Sequence, residues 1–314
     1  MKKLIVSALF IFLLNISLHA QTDSAVSAVH YNFSYVIDTT QPESPNTEKM
    51  ILYLGTNSSL YMSYDRILFN KAIKEKMNGG NASGNVREVA TSGGVTNITV
   101  SDGGTITGGT FVGTPGTSIN LGKAGTPGML MKNNETTKLA TFSSSYGKDF
   151  FIEEPMPAMN WQISTETKSI QGLACQKATT HFRGRDYEAW FCSQLPYNNG
   201  PWKLGGLPGL IIEASDSKKE VVFTFESFED ATGTHTPIEF SKKAIKTTAK
   251  ELTQFNEAMK RDRAAMVNGM TSSAAGGGGL KAITVTGTFI SPDGKQVKPK
   301  QQNNPIEKDE PVIK

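Results

Sequence analysis

An imidazole and two carboxylates stand close together in one short stretch, His181, Asp186 and Glu188 in HFRGRDYE. Side chains of these types at this spacing are able to hold a divalent metal or to move protons as a general acid and base. Two thiols flank them, Cys175 and Cys192, and the chain has no other cysteine. Which chemistry results depends on the elements that carry these groups.

ACQKATTHF and RDYEAWFC read as two strands, and Arg183-Gly184 between them as a two-residue hairpin turn. With that turn, Phe182 faces Arg185, and counting outward brings Cys175 opposite Cys192 at a non-hydrogen-bonded position. Cα atoms there lie about 4.5 Å apart, close enough for a disulfide. A bridge is expected, contributing about 3 kcal/mol by restricting the unfolded chain; the alternative is a pair of packed thiols. The same register puts Ala174, Ala178, Phe182, Tyr187, Ala189 and Phe191 on a core face. Lys177, Thr179, His181, Asp186, Glu188 and Trp190 share the other face with the cysteines. A histidine opposite an aspartate on an exposed strand pair is ordinarily a surface ion pair. His181, Asp186 and Glu188 therefore remain candidates for a metal without support from any HExxH, CxxC or His-rich tract. No catalytic residue and no cofactor is expected. Met156 and Met159 offer thioethers that would suit copper(I), although methionine beside a proline turn and Trp161 more often fills a core.

A second stretch asks a similar question, PWKLGGLPGLIIEAS from Pro201 to Ser215. A phosphate cradle needs its glycines to open a helix, with a lysine and a hydroxyl following. A nucleophile elbow needs GxSxG. Here a strand follows and no GxSxG is present. Leu207-Pro208-Gly209-Leu210 is expected to form a type II turn, with proline at its second position and glycine at its third. Gly205 and Gly206 permit close approach of a neighbour, and the strand beginning at Leu210 reads as largely buried. The run is thus a pinned corner that feeds the core.

The remaining elements must hold these two stretches in place. VHYNFSYVID reads as a strand, and Glu48–Asp65 as two more broken at Gly55, from their aromatic and β-branched residues at period two. KLATFSSS, KDFFIEEP, NWQISTETKSI and EVVFTFESFE continue the pattern at short intervals, which argues an antiparallel sheet. One helix is expected from about Thr248 to Met266, opened by a capping box, Thr248 with Glu251, and carrying Leu252, Phe255 and Met259 at helical spacing. Nearly half of the 30 glycines fall between residues 79 and 128, where large apolar side chains are few. That segment, residues 78–128, is expected to be a flexible insertion rich in Gly, Ser and Thr. The tail, residues 291–314, is polar and expected to be mobile. The fold class is α+β and mainly antiparallel β, a curved sheet or half-barrel with a C-terminal helix packed against it. One such domain spans residues 21–290.

MKKLIVSALFIFLLNISLHA has two lysines, an apolar run and a small residue at Ala20, the layout of a signal peptide over residues 1–20. Export to the periplasm or the cell exterior is expected, with no membrane-spanning helix in the mature chain. A formal net charge of +3, without a basic stripe, argues against nucleic acid as a partner.

The run GPWKLGGLPGLI resembles the signature of the GLPGLI, or Porphyromonas gingivalis-type, family of secreted Bacteroidetes proteins. WQISTETKSIQGLACQKATTHFRGRDYEAWF, SSLYMSY and NNPIE at Asn303–Glu307 add to the resemblance, which is densest over residues 150–215. The glycine-rich segment departs from it. The resemblance implies a Gram-negative envelope setting and supplies no activity. Its motif positions here, Gly200, Pro201, Gly206, Leu207, Pro208, Gly209, Leu210 and Ile211, are implied as family markers of structural character. The function expected is binding of a lipid, a peptide or an envelope protein through the curved sheet. A secreted hydrolase whose site is assembled from distant segments, or a metal-handling protein, is the alternative.

Overall fold

The computed structural model describes residues 23–78, 124–273 and 301–308, together with the backbone of short strands between residues 86 and 120 and between 289 and 297. The expected signal peptide lies outside the described residues, as do the connections between the strands of the glycine-rich segment and the linker at residues 274–279.

Three strands open the fold: β1 (Ser27–Tyr35), β2 (Asn46–Leu54) and β3 (Ser58–Ser63). Helix α1 (Tyr64–Asn78) follows at once, so Tyr64 and Asp65 start a helix where the sequence suggested the end of a strand. Its apolar residues make only a weak stripe. Tyr64 and Ile67 pack on a small outer cluster of Ala28 and Ile51. The glycine-rich segment contributes β4 (Val86–Ser92), β5 (Val95–Val100), β6 (Thr105–Thr107), β7 (Thr110–Val112) and β8 (Ser118–Asn120), paired in that order as a separate antiparallel meander. Strands thus occur where a flexible loop was expected, and β-branched residues at Val95–Val100 and around Thr105–Val112 are their source.

The chain rejoins the main sheet with β9 (Met129–Asn133), β10 (Lys138–Ser145), β11 (Lys148–Pro155), β12 (Gln162–Ile170), β13 (Leu173–Phe182), β14 (Arg185–Cys192), β15 (Leu210–Asp216) and β16 (Val221–Asp230). A two-residue strand, β17 (Ile245–Lys246), pairs parallel with β11. Helix α2 (Ala249–Ser273) comes next, and β18 (Phe289–Ile290) pairs with β19 (Gln296–Val297). The main sheet has twelve strands in the order β12-β13-β14-β15-β16-β1-β2-β3-β9-β10-β11-β17. All its neighbours are antiparallel except the last pair. No helix among the described residues is long and apolar enough to cross a membrane.

The capping box forms as expected: the Thr248 hydroxyl accepts from the Glu251 amide at 3.2 Å, and the Glu251 carboxylate accepts from the Thr248 amide at 2.9 Å. Phe255 of α2 packs on Tyr146 and Phe150 at the end of the β10–β11 hairpin. The hollow of the sheet is filled by other residues. Leu204 and Leu207, from the connection between β14 and β15, are fully buried in one cluster with Tyr31, Leu52, Leu130, Leu139, Phe223 and their neighbours. A flat sheet would hold β15 and β9, five strands apart, roughly 24 Å from each other. The sheet instead curves around that connection, which touches both.

Candidate functional site

The β13–β14 hairpin adopts the register read from its turn. Arg183 and Gly184 both have positive φ, 50° and 72°, the type I′ geometry whose twist matches the strands. His181 pairs with Asp186 and Phe182 with Arg185. Cys175 and Cys192 form a disulfide with Cα atoms 4.3 Å apart. The faces sort as expected near the turn and depart from expectation at the far end of the pair, where Cys175 and Cys192 are buried on the outer face. Ala174 is exposed, because it lies past the covered part of the sheet. Trp190 is buried on the outer face, with the Lys168 ammonium 4.3 Å from its ring centre.

His181 Nδ1 lies 2.7 Å from Asp186 Oδ1, with both side chains more than half exposed. Glu188 turns away to Lys177 at 2.9 Å and accepts from Trp190 Nε1 at 3.3 Å, and these contacts hold its carboxyl below the ordinary value, the Lys177 hydrogen bond first. The three side chains therefore share a strand pair without converging. Met159 packs against the main core.

The connection from Ser193 to Gly209 is a plug fastened across the sheet. Register places Ser59, Lys132, Leu139 and Glu154 side by side in one row across β3, β9, β10 and β11. This row receives the plug. Asn199 Nδ2 donates to Ser59 Oγ at 2.8 Å, and Lys203 reaches Glu154 Oε1 at 2.5 Å. The Lys132 ammonium donates to Asn199 Oδ1, Gly200 O and Leu204 O at 2.9, 3.0 and 2.6 Å. Only neutral oxygens meet this lysine among its hydrogen-bond partners here, and burial pushes its pKa down to about 7. On the far side Tyr31 donates its hydroxyl to Ile211 O at 2.7 Å, and Trp161 Nε1 donates to Gly205 O at 2.8 Å.

The turn that ends the plug differs from the expected type II form. Gly209 N donates to Leu207 O at 2.8 Å, closing a tight turn about Pro208, while Leu210 N donates to Leu195 O at 2.9 Å. The three-residue hydrogen-bonded turn replaces the four-residue one because Leu210 is already pairing with the start of the plug. Gly209 has φ 151°, and a Cβ there would meet Cys192 O at 2.5 Å. Gly200 is pressed on Ile211, whose Cβ would lie 2.8 Å from an added methyl. Pro201 accepts from Leu204 N at 3.1 Å. Leu207, Leu210 and Ile211 are core, whereas Gly206 and Pro208 face solvent.

Beside the plug the tail docks. Residues 301–308 were expected to be mobile with the rest of the tail, yet Asn304 is 3% exposed. The reason is Arg185, a buried guanidinium that no local pattern distinguishes. It binds Asp216 and Glu220 at 2.5 and 2.9 Å, and it also donates to Asn304 Oδ1, Pro305 O and Ile306 O at 2.8, 2.8 and 2.9 Å. Asn304 Nδ2 in turn donates to Val36 O at 2.6 Å. Glu307 closes a ring of alternating charge, 2.8 Å from Lys203 and 3.6 Å from Arg183, with Glu154 between the same two cations.

Sheet, plug and tail leave a cleft of about 260 Å³ between them. Its floor is Phe33, Met50, Tyr61, Leu130, Thr141 and Phe223; Trp202 and Lys203 of the plug and Ile306 and Glu307 of the tail form its rim. The floor is made of alternate residues on adjacent strands, Tyr61 opposite Leu130 and Leu130 opposite Thr141. Among the described residues the buried Tyr61 hydroxyl has no hydrogen-bond partner, and burial raises its pKa well above the ordinary value. Neither Tyr61 nor Lys132 stood out in the sequence. The available signal was the alternation in Met129–Asn133, which puts Leu130 and Lys132 on one face.

Comparison with known proteins adds little to this geometry. A family model described as a protein of unknown function (Porph_ging) matches residues 183–213, which run from the β13–β14 turn through the plug into β15. No curated protein matches the chain. Among solved structures it is similar to PNGF-II in C2 and P21 space groups, each at 12% identity and TM-score 0.42. These alignments cover 73% and 74% of this chain and 32% and 33% of those chains, so the chain spans about a third of their length.

Proposed function

We propose that the chain is an exported, non-enzymatic binding protein of a Gram-negative envelope, and that it takes the apolar body of a small ligand in the cleft between sheet, plug and tail. The observation that carries this reading is the cleft floor, apolar side chains on paired strands with few polar groups. Small-molecule sites have this character, and at about 260 Å³ the cleft lies just below their usual range of roughly 300–1,000 Å³. Of a lipid, a peptide and a protein surface, a recess of this size best suits a single acyl-like or aromatic group. Export is supported by the leading segment and by the disulfide, which persists in oxidising compartments. The GLPGLI family is the family we assign, and the match at residues 183–213 supports it.

Native mass spectrometry of mature protein from a Gram-negative periplasm tests this reading. The expected result is a bound small apolar molecule that is lost in Thr141→Phe, whose ring fills the cleft. A bare mass for the native protein, and no uptake of added medium-chain alcohols or ketones, overturns it.

A further inference from the structure

Two segments form the rim of the cleft, and they are fastened in different ways. The plug is rooted by Leu204 and Leu207, both fully buried, and by the three oxygens that the Lys132 ammonium holds. Over residues 301–308 the tail has one buried side chain, Asn304, with Ile306 and Glu307 partly buried beside it and the others exposed. Ile306 and Glu307 are the two that it sets at the cleft. Resting on the cleft as a binding site, we infer that the tail is a strap over that site: it docks more firmly when an apolar ligand lies against Ile306, and it holds that ligand in.

The charges under the tail let it lift. Arg185 keeps Asp216 and Glu220 when the tail is away, and Arg183 and Lys203 keep Glu154. Withdrawal therefore strands no cation. It takes Glu307 from Arg183 and Lys203 and Lys308 from Glu220, and it trades the hydrogen bonds of Asn304 for bonds to water, a small net cost per bond. What a ligand changes is the apolar contact. Ile306 packs against the main core and lines the cleft, so an apolar ligand gives it a further partner, and that surface stays out of water only while the tail is down. A ligand that gains from the docked tail strengthens the docking by the same factor.

The test uses the full mature chain and its Asn304→Ala and Glu307→Gln variants, with methyl heptyl ketone as the probe. The amides of Asn304 and Lys308 donate to Ile37 O and Arg183 O at 3.1 and 3.0 Å, so their hydrogen exchange in the native chain reports local undocking of the tail. Saturating ketone is expected to slow that exchange about fivefold or more, the lower end of ordinary coupling between two sites. Asn304 does not line the cleft, so Asn304→Ala reaches the ketone only through the tail, and calorimetric titration is expected to find its binding weaker by a similar factor. Glu307→Gln, which breaks only the ion pairs of a partly exposed side chain, is expected to weaken binding in the same direction and separates a loosened tail from a damaged fold. Exchange that bound ketone leaves unchanged, with equal affinity in all three proteins, overturns the strap and leaves the cleft standing. Faster exchange in the presence of ketone also overturns it, because tail and ligand would then compete. If the ketone binds none of the three proteins, the cleft reading fails and the strap with it.

Discussion

Gly209 is held to its identity by backbone, since an added Cβ would stand 2.5 Å from Cys192 O and 2.7 Å from its carbonyl carbon. Neither atom can move without pulling β14 and its disulfide. Gly209→Val is expected to cost at least about 3 kcal/mol in thermal denaturation, whereas Gly206→Ala, with nothing within 4 Å of its Cβ, should cost only the roughly 1 kcal/mol of a left-handed residue. Equal losses would contradict the contact. Lys132 presents a different case, a cation under the plug. Its ordinary pKa is 10.5 and burial brings it to about 7 in the fold. Between those values the unfolded chain keeps a proton that the folded chain has released, so this lysine's contribution to stability rises with pH across that window and is level on either side. Lys132→Met orphans three oxygens, a loss of about 2–4 kcal/mol. The gap in melting temperature between the native protein and Lys132→Met should therefore widen from about pH 6.5 to about pH 9.5; a constant gap would show that Lys132 does not titrate there.

At the scale of elements, legibility followed the range of the interactions. The β13–β14 hairpin was readable because a turn, an alternation and a cysteine pair all lie within one local stretch and agree. The capping box of α2 was readable for the same reason. Short β9, with only Met129, Leu130 and Met131 to mark it, and weakly striped α1 were not. The tail was misread because its order comes from Arg185, 119 residues away in sequence from Asn304, and a polar string carries no sign of a distant guanidinium. Asn304→Ala removes acceptors and donors from both Arg185 and Val36, and we expect it to cost about 2–3 kcal/mol. Limited proteolysis should then cut between residues 301 and 308 in the variant and spare them in the native chain. Cleavage there in both would mean that the tail is not docked.

Taken whole, the molecule is a curved antiparallel sheet with its hollow filled by its own β14–β15 connection. The class of fold was legible in the spacing of strands, because antiparallel order is written in short turns. The cleft was not, since its floor is shared among β1, β2, β3, β9, β10 and β16 and its rim comes from two further segments. His181, Asp186 and Glu188, the residues whose types drew attention first, lie on the outer face of the hairpin with His181 and Asp186 in solvent. The binding site we propose lies instead on the concave side, where the apolar floor meets the plug. The most direct test of that location is methyl NMR of the mature chain labelled at methionine, titrated with methyl heptyl ketone. The expected result is a saturable shift of the Met50 resonance, on the cleft floor, while that of Met156 stays in place. Saturable shifts that spare Met50 would place binding elsewhere and contradict it.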